Sequence, residues 1–440
     1  MPNIAIFGAG KSASCLINYL GILCAKEQWK LLVTDSDIAL SKSKTEKFPG
    51  AEAFSFDVTD KDKRQSFIKK ADVVISMLPP SLHLLIARDC IDFSKHFLTA
   101  SYIDMDLRAF ANDITAKNLL FIGEMGLDPG IDHMSAMKLI DRIKKQGGQI
   151  TSFKSHCGGL MAPESDDNPW YYKISWNPAN VVAAGSSGAY YKSGGKIKEV
   201  LYPRIFADPG QVVNVPGLGI LAWYANRDSL SYIDTYGLHK TDTFVRTTLR
   251  YPAFCRGWNK LIHLGLTNQN DHHEIRNCKT FSDWFFLKMN KQENDKQLSD
   301  DFMDEEFSAQ IDFMGLRNND YLPVPITNSA TLLRHLLEKN LAMKATDKDM
   351  IVLLHEIEYT LGDNIRKLIK STLIVKGEDR INTAMAKTVG LPLGIAARLI
   401  LENKIKLRGL HIPVLPEIYG PVLSELENNG ITFNEQEYDI

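Results

Sequence analysis

The side chains best suited to chemistry are concentrated between Glu124 and Lys173. Two runs there, GEMGLDPGIDHMSAM and SFKSHCGGLMAPESDDNPWYYK, mix acids, His133, His156 and Cys157 with glycines and prolines. Apart from the short helical segment between them, they lack the apolar periodicity of a core helix or strand. Their small residues permit close backbone approach to a bound molecule. We therefore expect a dinucleotide-binding half of the chain to meet a substrate-binding half here.

A glycine-rich turn near the start of the chain lies between a predicted strand and a predicted helix. Asn3 to Phe7 is a short apolar run, the turn GAGKSA occupies residues 8–13, and a helical pattern follows. In a G-x-G-x-x-A turn, Gly8 permits the sharp bend and Gly10 lets the backbone approach a pyrophosphate, while the helix directs N–H groups at the phosphates. The turn predicts nucleotide binding; the alternative is an ordinary tight turn.

A carboxylate at the end of the second predicted strand bears on the choice of dinucleotide. Asp35 follows the apolar run Lys30 to Thr34. An acid at this position can accept hydrogen bonds from the adenosine ribose hydroxyls and would repel a 2′-phosphate. Lys42 and Lys44 lie several residues further on. The sequence therefore favours NAD over NADP, unless Asp35 only caps the next turn.

The elements that position these residues alternate between strand and helix throughout residues 3–123. Further predicted strands are Ala53–Phe56, Ala71–Leu78, His96–Thr99 and Leu119–Ile122. This alternation predicts an α/β fold with a doubly wound parallel sheet, which binds ligands at the carboxyl ends of its strands. The loops at that edge contain Gly8, Asp35, Leu78, Ser101 and Glu124. Asp57 and Val58 form the exit of the third strand, where Asp57 could reach the adenine or cap the helix near Asp60.

The second half of the chain predicts another sheet with helices inserted in it. Predicted strands are Ile150–Ser155, Lys198–Tyr202, Ile233–Tyr236 and Phe244–Tyr251. From Pro252 to Leu341 the pattern is helical, and the polar run from Asn290 to Asp301 predicts a mobile loop. Met350–Thr360 and Arg366–Val375 predict a β-pair. The long apolar helix Ala384–Leu401 then returns the chain to the first domain.

Composition excludes several functional classes. The 440 residues allow two or three domains, and the net charge of −2 gives no general attraction to nucleic acid or anionic membrane. The six cysteines are scattered, which argues against a disulfide framework and for a reducing, cytoplasmic setting. No run approaches about 18 apolar residues, and a strand follows Met1 almost at once, so we expect neither a membrane span nor a targeting peptide.

A metal site is not expected either. His272 and His273 are adjacent and Cys278 is near them in the chain. Adjacent side chains diverge, and a fourth ligand has no obvious source. We therefore predict an enzyme without a metal.

Five motifs together resemble the saccharopine dehydrogenase family, the glutamate-forming enzymes of lysine metabolism. They are GEMGLDPGIDHMSAM, SHCGGLMAPESDDNPWYYKISW, NRDS (226–229), TTLRY (247–251) and AMAKTVGLP (384–392). The similarity runs from the first strand to Tyr419-Gly420-Pro421 and thins around 265–345. Asp35 and the tail PEIYGPVLSELENNGI are more similar to the NAD-using, lysine-degrading form than to the fungal NADP form. His156 and Met161 depart from the family's usual Tyr-Cys-Gly-Gly-Leu-Pro.

The resemblance implies an NAD(P)-dependent oxidoreductase that cleaves L-saccharopine reversibly. Hydride transfer oxidises a C–N bond, and hydrolysis of the imine releases L-glutamate and L-2-aminoadipate 6-semialdehyde. The implied fold is a variant Rossmann domain (1–128, completed by about 385–440) and an α/β substrate and dimerisation domain (129–251 and 346–384) with an all-helical insertion (252–345). A homodimer is implied as well.

The implied substrate contacts follow from the charges of saccharopine, which carries three carboxylates and two nitrogens. Arg227 and Arg250 are the best carboxylate clamps, because a guanidinium offers a planar bidentate fork. The full set of predicted substrate contacts is Ser101, Tyr102, Asp128, Arg227, Thr248, Leu249 and Arg250. The predicted cofactor contacts are Gly8, Ala9, Gly10, Lys11, Ser12, Asp35, Ser36, Asp57, Val58, Leu78, Ala100, Ser101 and Ser175.

Three residues are catalytic candidates. Asp128, held by Pro129-Gly130, could bind the substrate ammonium or shuttle a proton; the alternative is an N-cap, for which Asp132 is the better residue. Lys173 could be the general base for imine hydrolysis or only bridge a carboxylate. Cys157 is a pocket residue or a weak acid–base candidate, since the neighbouring His156 could lower the pKa of its thiol.

Two other functions compete with this prediction. A related imine reductase such as carboxynorspermidine synthase would share the fold, but Arg227, Arg250 and the LDPGID run favour the tricarboxylic substrate. A non-catalytic NAD-binding regulator or scaffold would be favoured by loss of the glycine-rich turn or of both arginines. Neither is lost.

Overall fold

A computed structural model describes residues 1–207, 211–294, 302–362 and 365–440. The strands of the described residues are β1 Asn3–Phe7, β2 Lys30–Asp35, β3 Ala51–Ser55, β4 Val73–Ser76, β5 His96–Thr99, β6 Leu120–Ile122, β7 Gln149–Met161, β8 Ala189–Ser193, β9 Lys196–Val200, β10 Val212–Val215, β11 Gly219–Ala225, β12 Arg227–Asp228, β13 Thr243–Arg250, β14 Asp349–Leu361, β15 Ile365–Lys376, β16 Gly409–His411 and β17 Asn434–Asp439.

The α-helices of the same residues are α1 Ser14–Glu27, α2 Ile38–Thr45, α3 Lys61–Lys69, α4 Pro80–Asp92, α5 Met105–Arg108, α6 Ala111–Ala116, α7 Ile131–Lys145, α8 Pro178–Val182, α9 Ser231–Tyr236, α10 Pro252–His263, α11 His272–Ile275, α12 Phe281–Asn294, α13 Glu305–Met314, α14 Ser329–Asn340, α15 Ala384–Leu401 and α16 Pro416–Asn428. Several begin at an Asp or Asn side chain that accepts a hydrogen bond from the first helical turn, as Asp37 does for α2 and Asp60 for α3.

The chain divides into two compact units. The first comprises Met1–Gln149 and Ile381–Phe433, and the second comprises Ile150–Arg380 and Asn434–Ile440. Helix α7, which the predicted boundary at 128 assigns to the second domain, therefore belongs to the first unit. The last strand, β17, belongs to the second unit, where it pairs with β15.

The first unit is built on a parallel sheet with the strand order β16-β6-β5-β4-β1-β2-β3. All of its described pairings are parallel. The strand order reverses direction at β1, so the loops after β1 and β4 flank the switch point where open α/β sheets bind ligands. This confirms the predicted α/β fold class with a doubly wound parallel sheet.

Helix α15 packs closely on α1 in the first unit. A Cβ at Gly390 would lie 2.8 Å from the Leu16 backbone nitrogen, and one at Gly394 would lie 2.7 Å from the Tyr19 ring. Both glycines therefore let the two helices approach more closely than larger residues would permit. By length and composition α15 could cross a membrane. This corrects the expectation that the chain has no apolar segment of about 18 residues. However, 72% of α15 is buried inside the protein, as in the core helix of a globular domain.

The second unit contains a mixed sheet with the path β10-β11-β13-β7-β14-β15-β17, and β8, β9 and β12 lie off this path. The predicted β-pair is confirmed, because β14 and β15 pair antiparallel from Met350↔Lys376 to Leu361↔Ile365. The helices α10 to α14 form the predicted helical region, around a core that includes the fully buried Trp170, Trp258 and Trp284. The predicted mobile loop from Asn290 to Asp301 falls largely outside the described residues.

Two local predictions are wrong. Ile233–Tyr236 lies in helix α9 and not in a strand, because a run of four residues is too short to distinguish the helical period from the strand period. Strand β7 does not end at Ser155 but continues through Cys157 to Met161, and α7 begins within the other motif run at Ile131. The stretch from Glu124 to Lys173 therefore contains a regular strand and a regular helix, despite its unusual composition.

Candidate active site

The glycine-rich turn of the first unit has the geometry that a dinucleotide requires. Gly8 has φ +98°, and a Cβ there would lie 3.1 Å from the carbonyl oxygen of Met77. A Cβ at Gly10 would meet nothing within 4 Å, so the backbone is open on that side. Lys11 to Ala13 form a single 3₁₀ turn that leads into α1. The turn thus leaves room for phosphates at the start of a helix, and its residues fit the cofactor.

Asp35 is fixed beside this turn by backbone donors. Its Oδ2 accepts a hydrogen bond from Ala9 N at 2.7 Å, and its Oδ1 accepts one from Asp37 N at 3.1 Å. The N-cap of α2 is Asp37, so Asp35 holds the turn without capping the helix. A carboxylate has about four acceptor sites, which leaves capacity for ribose hydroxyls. Ser36 also contacts Asp35, with Oγ 3.3 Å from Oδ1.

Lys44 makes a contact with the glycine-rich turn that the sequence did not reveal. Its Nζ donates to Gly10 O at 2.6 Å and to Ser14 Oγ at 2.9 Å, so α2 braces the glycine-rich turn from the side. Burial lowers the pKa of Lys44 to about 8, although the charge of Asp35 opposes this shift. The separation from the turn in sequence hides this contact, and only the helical fold of residues 38–45 creates it.

Asp57 does not cap the helix after β3. Its Oδ1 accepts hydrogen bonds from Thr59 N and Thr59 Oγ1, both at 2.8 Å, and these hydrogen bonds lower the pKa of this exposed carboxyl. Asp60 is the N-cap of α3. The carbonyl of Val58 accepts a hydrogen bond from Arg64 Nη1 at 2.7 Å. Contact of Asp57 and Val58 with the adenine stays a prediction.

The ends of β4 and β5 place the remaining predicted cofactor contacts of the first unit near one another. Met77 N donates to Phe7 O at 2.8 Å, which holds the Leu78 loop against the end of β1. Ser101 N donates to Thr99 Oγ1 at 3.2 Å, and Ser101 Oγ lies 2.8 Å from His83 Nε2. Ala100 packs on the loop after β6, because a Cβ at Gly126 would lie 2.9 Å from its side chain.

The loop that carries Asp128 is held by buried groups on both sides. Within the fully described run from 121 to 137, Asp128 is the one residue that is not buried. Glu124 has φ +55°, and its carboxylate accepts a hydrogen bond from Ile103 N at 3.3 Å and lies 2.9 Å from His133 Nε2. These buried contacts fix the start of the loop, in which Asp128 is half-buried.

Asp132 is not the N-cap of α7, contrary to the prediction. The N-cap is Gly130, whose φ of 147° no other residue readily adopts. The carboxylate of Asp132 accepts a hydrogen bond from Gly130 N at 2.7 Å, from inside the first turn. Asp132 therefore stabilises the Asp128 loop, and the N-cap alternative for Asp128 is also wrong.

In the second unit, β7 and β13 bring two motif runs together. The register pairs His156 with Thr247 and Cys157 with Thr248. Gly158 has no space for a side chain, since a Cβ would lie 2.5 Å from the carbonyl oxygen of Leu249. Gly158 is therefore explained by close strand packing and not by a bound molecule.

Arg250 is the strongest anion anchor of the second unit. It is 4% exposed, and its guanidinium carbon lies 5.4 Å from the Tyr172 ring centroid and 5.6 Å from that of Phe254. Nη1 donates to Leu249 O at 2.7 Å, and the buried Nε has no hydrogen-bond partner within the described parts of the chain. A buried cation with an unused donor is suited to a ligand carboxylate.

The other predicted substrate contacts of this unit are placed differently. Leu249 is fully buried in an apolar cluster, so its side chain belongs to the core. Thr248 is half-buried beside Cys157. Arg227 is exposed with φ +50°, a conformation that is rare for a residue other than glycine and is concentrated at functional sites. Ser175 is buried, two residues beyond Lys173.

Lys173 is enclosed by carboxylates. Its Nζ lies 2.6 Å from Asp167 Oδ1 and 2.8 Å from Asp347 Oδ2, and its side chain is 4% exposed. Hydrogen bonds from Lys173 and Lys344 lower the pKa of Asp167 to about 2. Because two carboxylates already contact Nζ, the geometry supports the bridging role of Lys173 over that of a general base.

Asp166 is a second site residue that the sequence did not single out. Burial and the negative charge of Asp167 raise its pKa to about 6, against the opposing charge of Lys173. Its Oδ1 is buried without a hydrogen-bond partner among the described residues. A carboxyl with this pKa can hold and release a proton near neutrality. The adjacent acids of ESDDNP were visible in the sequence, but their different environments were not.

His156 cannot activate Cys157. Successive side chains of a strand point to opposite faces, and β7 carries both residues. His156 Nδ1 lies 2.6 Å from Thr247 Oγ1, and its Nε2 lies 3.4 Å from Glu356 Oε2. Burial lowers the pKa of His156. The predicted effect of this imidazole on the Cys157 thiol is therefore wrong, and Cys157 remains a buried neighbour of Thr248.

Two family models match the chain. Residues 4–122 match the saccharopine dehydrogenase NADP binding domain, and residues 126–431 match the saccharopine dehydrogenase C-terminal domain. The chain is 31% identical over 447 residues to the saccharopine dehydrogenase [NADP(+), L-glutamate-forming] of Saccharomyces cerevisiae, covering 99% of both chains. It also matches the apo structure of the L-Glu-forming saccharopine dehydrogenase from this yeast, with a TM-score of 0.88, 29% identity and full coverage of both chains.

Longer proteins match as well. The chain is 34% identical over 422 residues to the alpha-aminoadipic semialdehyde synthase of Arabidopsis thaliana, covering 90% of this chain and 40% of that protein. It therefore spans about two fifths of that relative. The structure of a homospermidine synthase from Legionella pneumophila shares the fold, with a TM-score of 0.56 at 9% identity.

Proposed function

Because the chain belongs to the saccharopine dehydrogenase family, we propose that it oxidises L-saccharopine with a nicotinamide dinucleotide. Water is consumed, and L-glutamate, L-2-aminoadipate 6-semialdehyde, reduced cofactor and a proton are formed. Arg250 carries this proposal furthest, as a buried guanidinium with an unused Nε donor. An amino acid with three carboxylates supplies the anion that such a residue can bind.

The residues of the first unit bind and orient the cofactor. The open backbone at Gly10 and the helix that starts after it hold the phosphates. The nicotinamide, when bound, supplies the hydride acceptor. Ser101 lies at the carboxyl edge of β5 and presents a hydroxyl there, and Asp128 is half-buried on its braced loop.

Carboxylates carry out the proton-transfer steps. Loss of a hydride from the substrate carbon and of a proton from its nitrogen gives the imine. Water then adds to the imine carbon, and the C–N bond breaks as a proton returns to the nitrogen. Asp128 binds the substrate ammonium or carries one of these protons. Asp166, with a pKa near 6, is the residue of the second unit best able to hold one.

We further propose that NAD is preferred to NADP. The fungal relatives are named for NADP(+), and the matching family model is named for NADP. The opposing observation is Asp35, whose carboxylate is fixed at the end of β2 by Ala9 N and Asp37 N. A fixed negative charge there repels a 2′-phosphate. Lys44 is nearby, but its ammonium already bonds Gly10 O and Ser14 Oγ.

A homodimer through the second unit stays a prediction. Its support is the edge strand β10, where Val212 is 46% exposed, and the paired strand β11, where Ile220 is 62% exposed. The other edge strand, β17, is polar and exposed, which is the kind of edge that resists pairing. Light scattering on the purified protein would test the assembly.

The activity itself is tested by the near-ultraviolet absorbance of reduced nicotinamide after saccharopine and NAD are mixed with the protein. We expect formation of NADH together with equimolar glutamate. Dinucleotide binding without any turnover of saccharopine would reject the activity and favour a non-catalytic NAD-binding protein. No observation favours a polyamine-forming imine reductase, because the homospermidine synthase match shows the fold alone.

A further inference from the structure

A hydrogen-bonded chain of four side chains lies at the carboxyl edge of the parallel sheet. Ser76 Oγ lies 2.8 Å from His83 Nδ1, and His83 Nε2 lies 2.8 Å from Ser101 Oγ and 3.4 Å from Thr99 Oγ1. Ser76, His83 and Thr99 are buried, and Ser101 is half-buried. The chain therefore leads from the sheet interior to a hydroxyl that reaches the surface of the first unit.

The local sequence explains how the imidazole reaches this position. β4 ends at Ser76, and Pro79-Pro80 ends the extended segment and starts α4, with a proline at its first position. His83 lies in the first turn of α4, within hydrogen-bond distance of Ser76 at the end of β4. The neighbouring strand β5 ends at Thr99, and Ser101 N donates to Thr99 Oγ1. Two strand ends and one helix start thus hold all four groups.

The imidazole in this chain is neutral. Burial lowers the pKa of His83 to about 4, against the opposing charge of Asp104. A neutral imidazole has one N–H donor and one acceptor nitrogen. With Ser76 on one nitrogen and Ser101 on the other, both capacities are used. The ring therefore restricts the orientation of the Ser101 hydroxyl, which keeps further hydrogen-bonding capacity on a half-buried residue.

We propose that His83 is a positioning residue for catalysis, which orients the Ser101 hydroxyl toward bound cofactor or substrate. This inference rests on the proposed function, in which Ser101 contacts those ligands. The alternative is a histidine that only satisfies buried hydroxyls and supports the fold. The positioning role and the structural role predict different results for variants of His83. Orientation of Ser101 needs the hydrogen bond at the Nε2 position, whereas support of the fold is equally served by the hydrogen bond at the Nδ1 position.

Two amide variants separate these possibilities. His83→Asn keeps a polar group near the Nδ1 position, facing Ser76, and His83→Gln keeps one near the Nε2 position, facing Ser101. We expect His83→Asn to lower kcat/KM for saccharopine roughly tenfold to hundredfold, as loss of one buried positioning hydrogen bond does. We expect His83→Gln to recover most of that loss at a similar Tm. Equal kcat/KM for His83→Asn, His83→Gln and the unaltered protein would overturn the proposal.

His96 provides a matched control. It starts β5 at the opposite, amino-terminal edge of the same sheet, and its Nδ1 accepts a hydrogen bond from Leu120 N at 3.0 Å. His96→Ala should lower the Tm and leave kcat/KM unchanged. If His96→Ala lowers kcat/KM as much as His83→Asn does, the effect of His83 is general destabilisation and the proposal is wrong.

A spectroscopic measurement keeps this proposal separate from the proposed function. With ¹⁵N-labelled histidine, Ser101→Ala should shift the His83 Nε2 resonance and Ser76→Ala should shift the Nδ1 resonance. If the protein binds NAD but does not oxidise saccharopine, the proposed function has failed. A shifted Nε2 resonance together with weaker NAD binding by His83→Asn would still support the positioning role. An unshifted resonance or unchanged NAD affinity would then refute it.

Discussion

Arg250→Lys is the substitution that tests the substrate anchor most severely. The lysine keeps the positive charge but loses the planar fork and the Nε donor. Arg250 is 4% exposed and lies between the rings of Tyr172 and Phe254. A ligand carboxylate bound there would be shielded from water, which makes its charge-assisted hydrogen bonds strong.

The expected magnitude follows from the number of hydrogen bonds. One hydrogen bond to a charged group contributes about 1.5–3 kcal/mol, and the lysine loses one of two. At about 1.4 kcal/mol for each factor of ten, kcat/KM for saccharopine should fall roughly 10- to 150-fold. Most of the loss should come from a higher KM, because the carboxylate is bound in both the ground state and the transition state.

The assay compares initial rates of NADH formation across saccharopine concentrations, with the Tm of each variant measured in parallel. Arg246→Lys is the matched control, since Arg246 is a buried arginine of the same strand whose guanidinium lies 4.5 Å from the Tyr232 ring. We expect the control to change the Tm without a comparable rise in KM. A folded Arg250→Lys protein with an unaltered KM for saccharopine would refute the role of Arg250 as a carboxylate anchor.

The remaining predictions concern the cofactor and the acids. Asp35→Ala should raise kcat/KM with NADP relative to NAD by roughly tenfold or more, because a repulsive charge is removed; an unchanged ratio of initial rates would show that Asp35 only holds its turn. Asp166 has a pKa raised from 3.8 to about 6, so it destabilises the folded protein as the pH rises from about 4 to 6. Asp166→Asn should therefore raise the Tm at neutral pH and leave the Tm nearly unchanged at pH values near 4. Thermal melts in which the variant is stabilised near pH 4 and not at neutral pH would exclude the raised pKa. Lys173→Met should lower the Tm by several degrees because it leaves Asp167 and Asp347 without their shared partner, whereas a stable variant that has lost only kcat would restore the general-base assignment. Cys157→Ser should retain kcat within roughly threefold, since no covalent step is proposed and His156 faces away; a loss of all turnover would contradict this.

Local patterns in the sequence predicted the framework of the first unit well. The run His96–Thr99 and the long helix Ala384–Leu401 were predicted with the bounds that the structure shows. Parallel strands buried on both faces have a strong apolar pattern, and Pro79-Pro80 marks a helix start. Ile233–Tyr236 failed because its four residues fit either period. β7 was predicted too short because the motif run after Ser155 lacks the apolar periodicity of a strand.

The site was less predictable than the fold, since it depends on contacts between residues far apart in sequence. Lys44 reaches Gly10 across 34 residues, and Lys173 reaches Asp347 across 174. No periodicity predicts either contact. Likewise, the glycine-rich turn was recognised from its spacing, but no sequence signal marked the imidazole of His83 as a partner of Ser101, 18 residues away. Motifs thus predicted the ligand contacts, and only the fold identified the residues that hold those predicted contacts in place.

The central claim is that this protein oxidises saccharopine with a nicotinamide dinucleotide, with NAD preferred. The most direct measurement is the set of initial rates of reduced-cofactor formation with saccharopine, taken with NAD and with NADP under the same conditions. We predict turnover with both, equimolar glutamate release, and a higher kcat/KM with NAD. Absence of turnover with either cofactor, in a folded protein that binds dinucleotide, would contradict the proposed function. A higher kcat/KM with NADP would contradict the role given to Asp35.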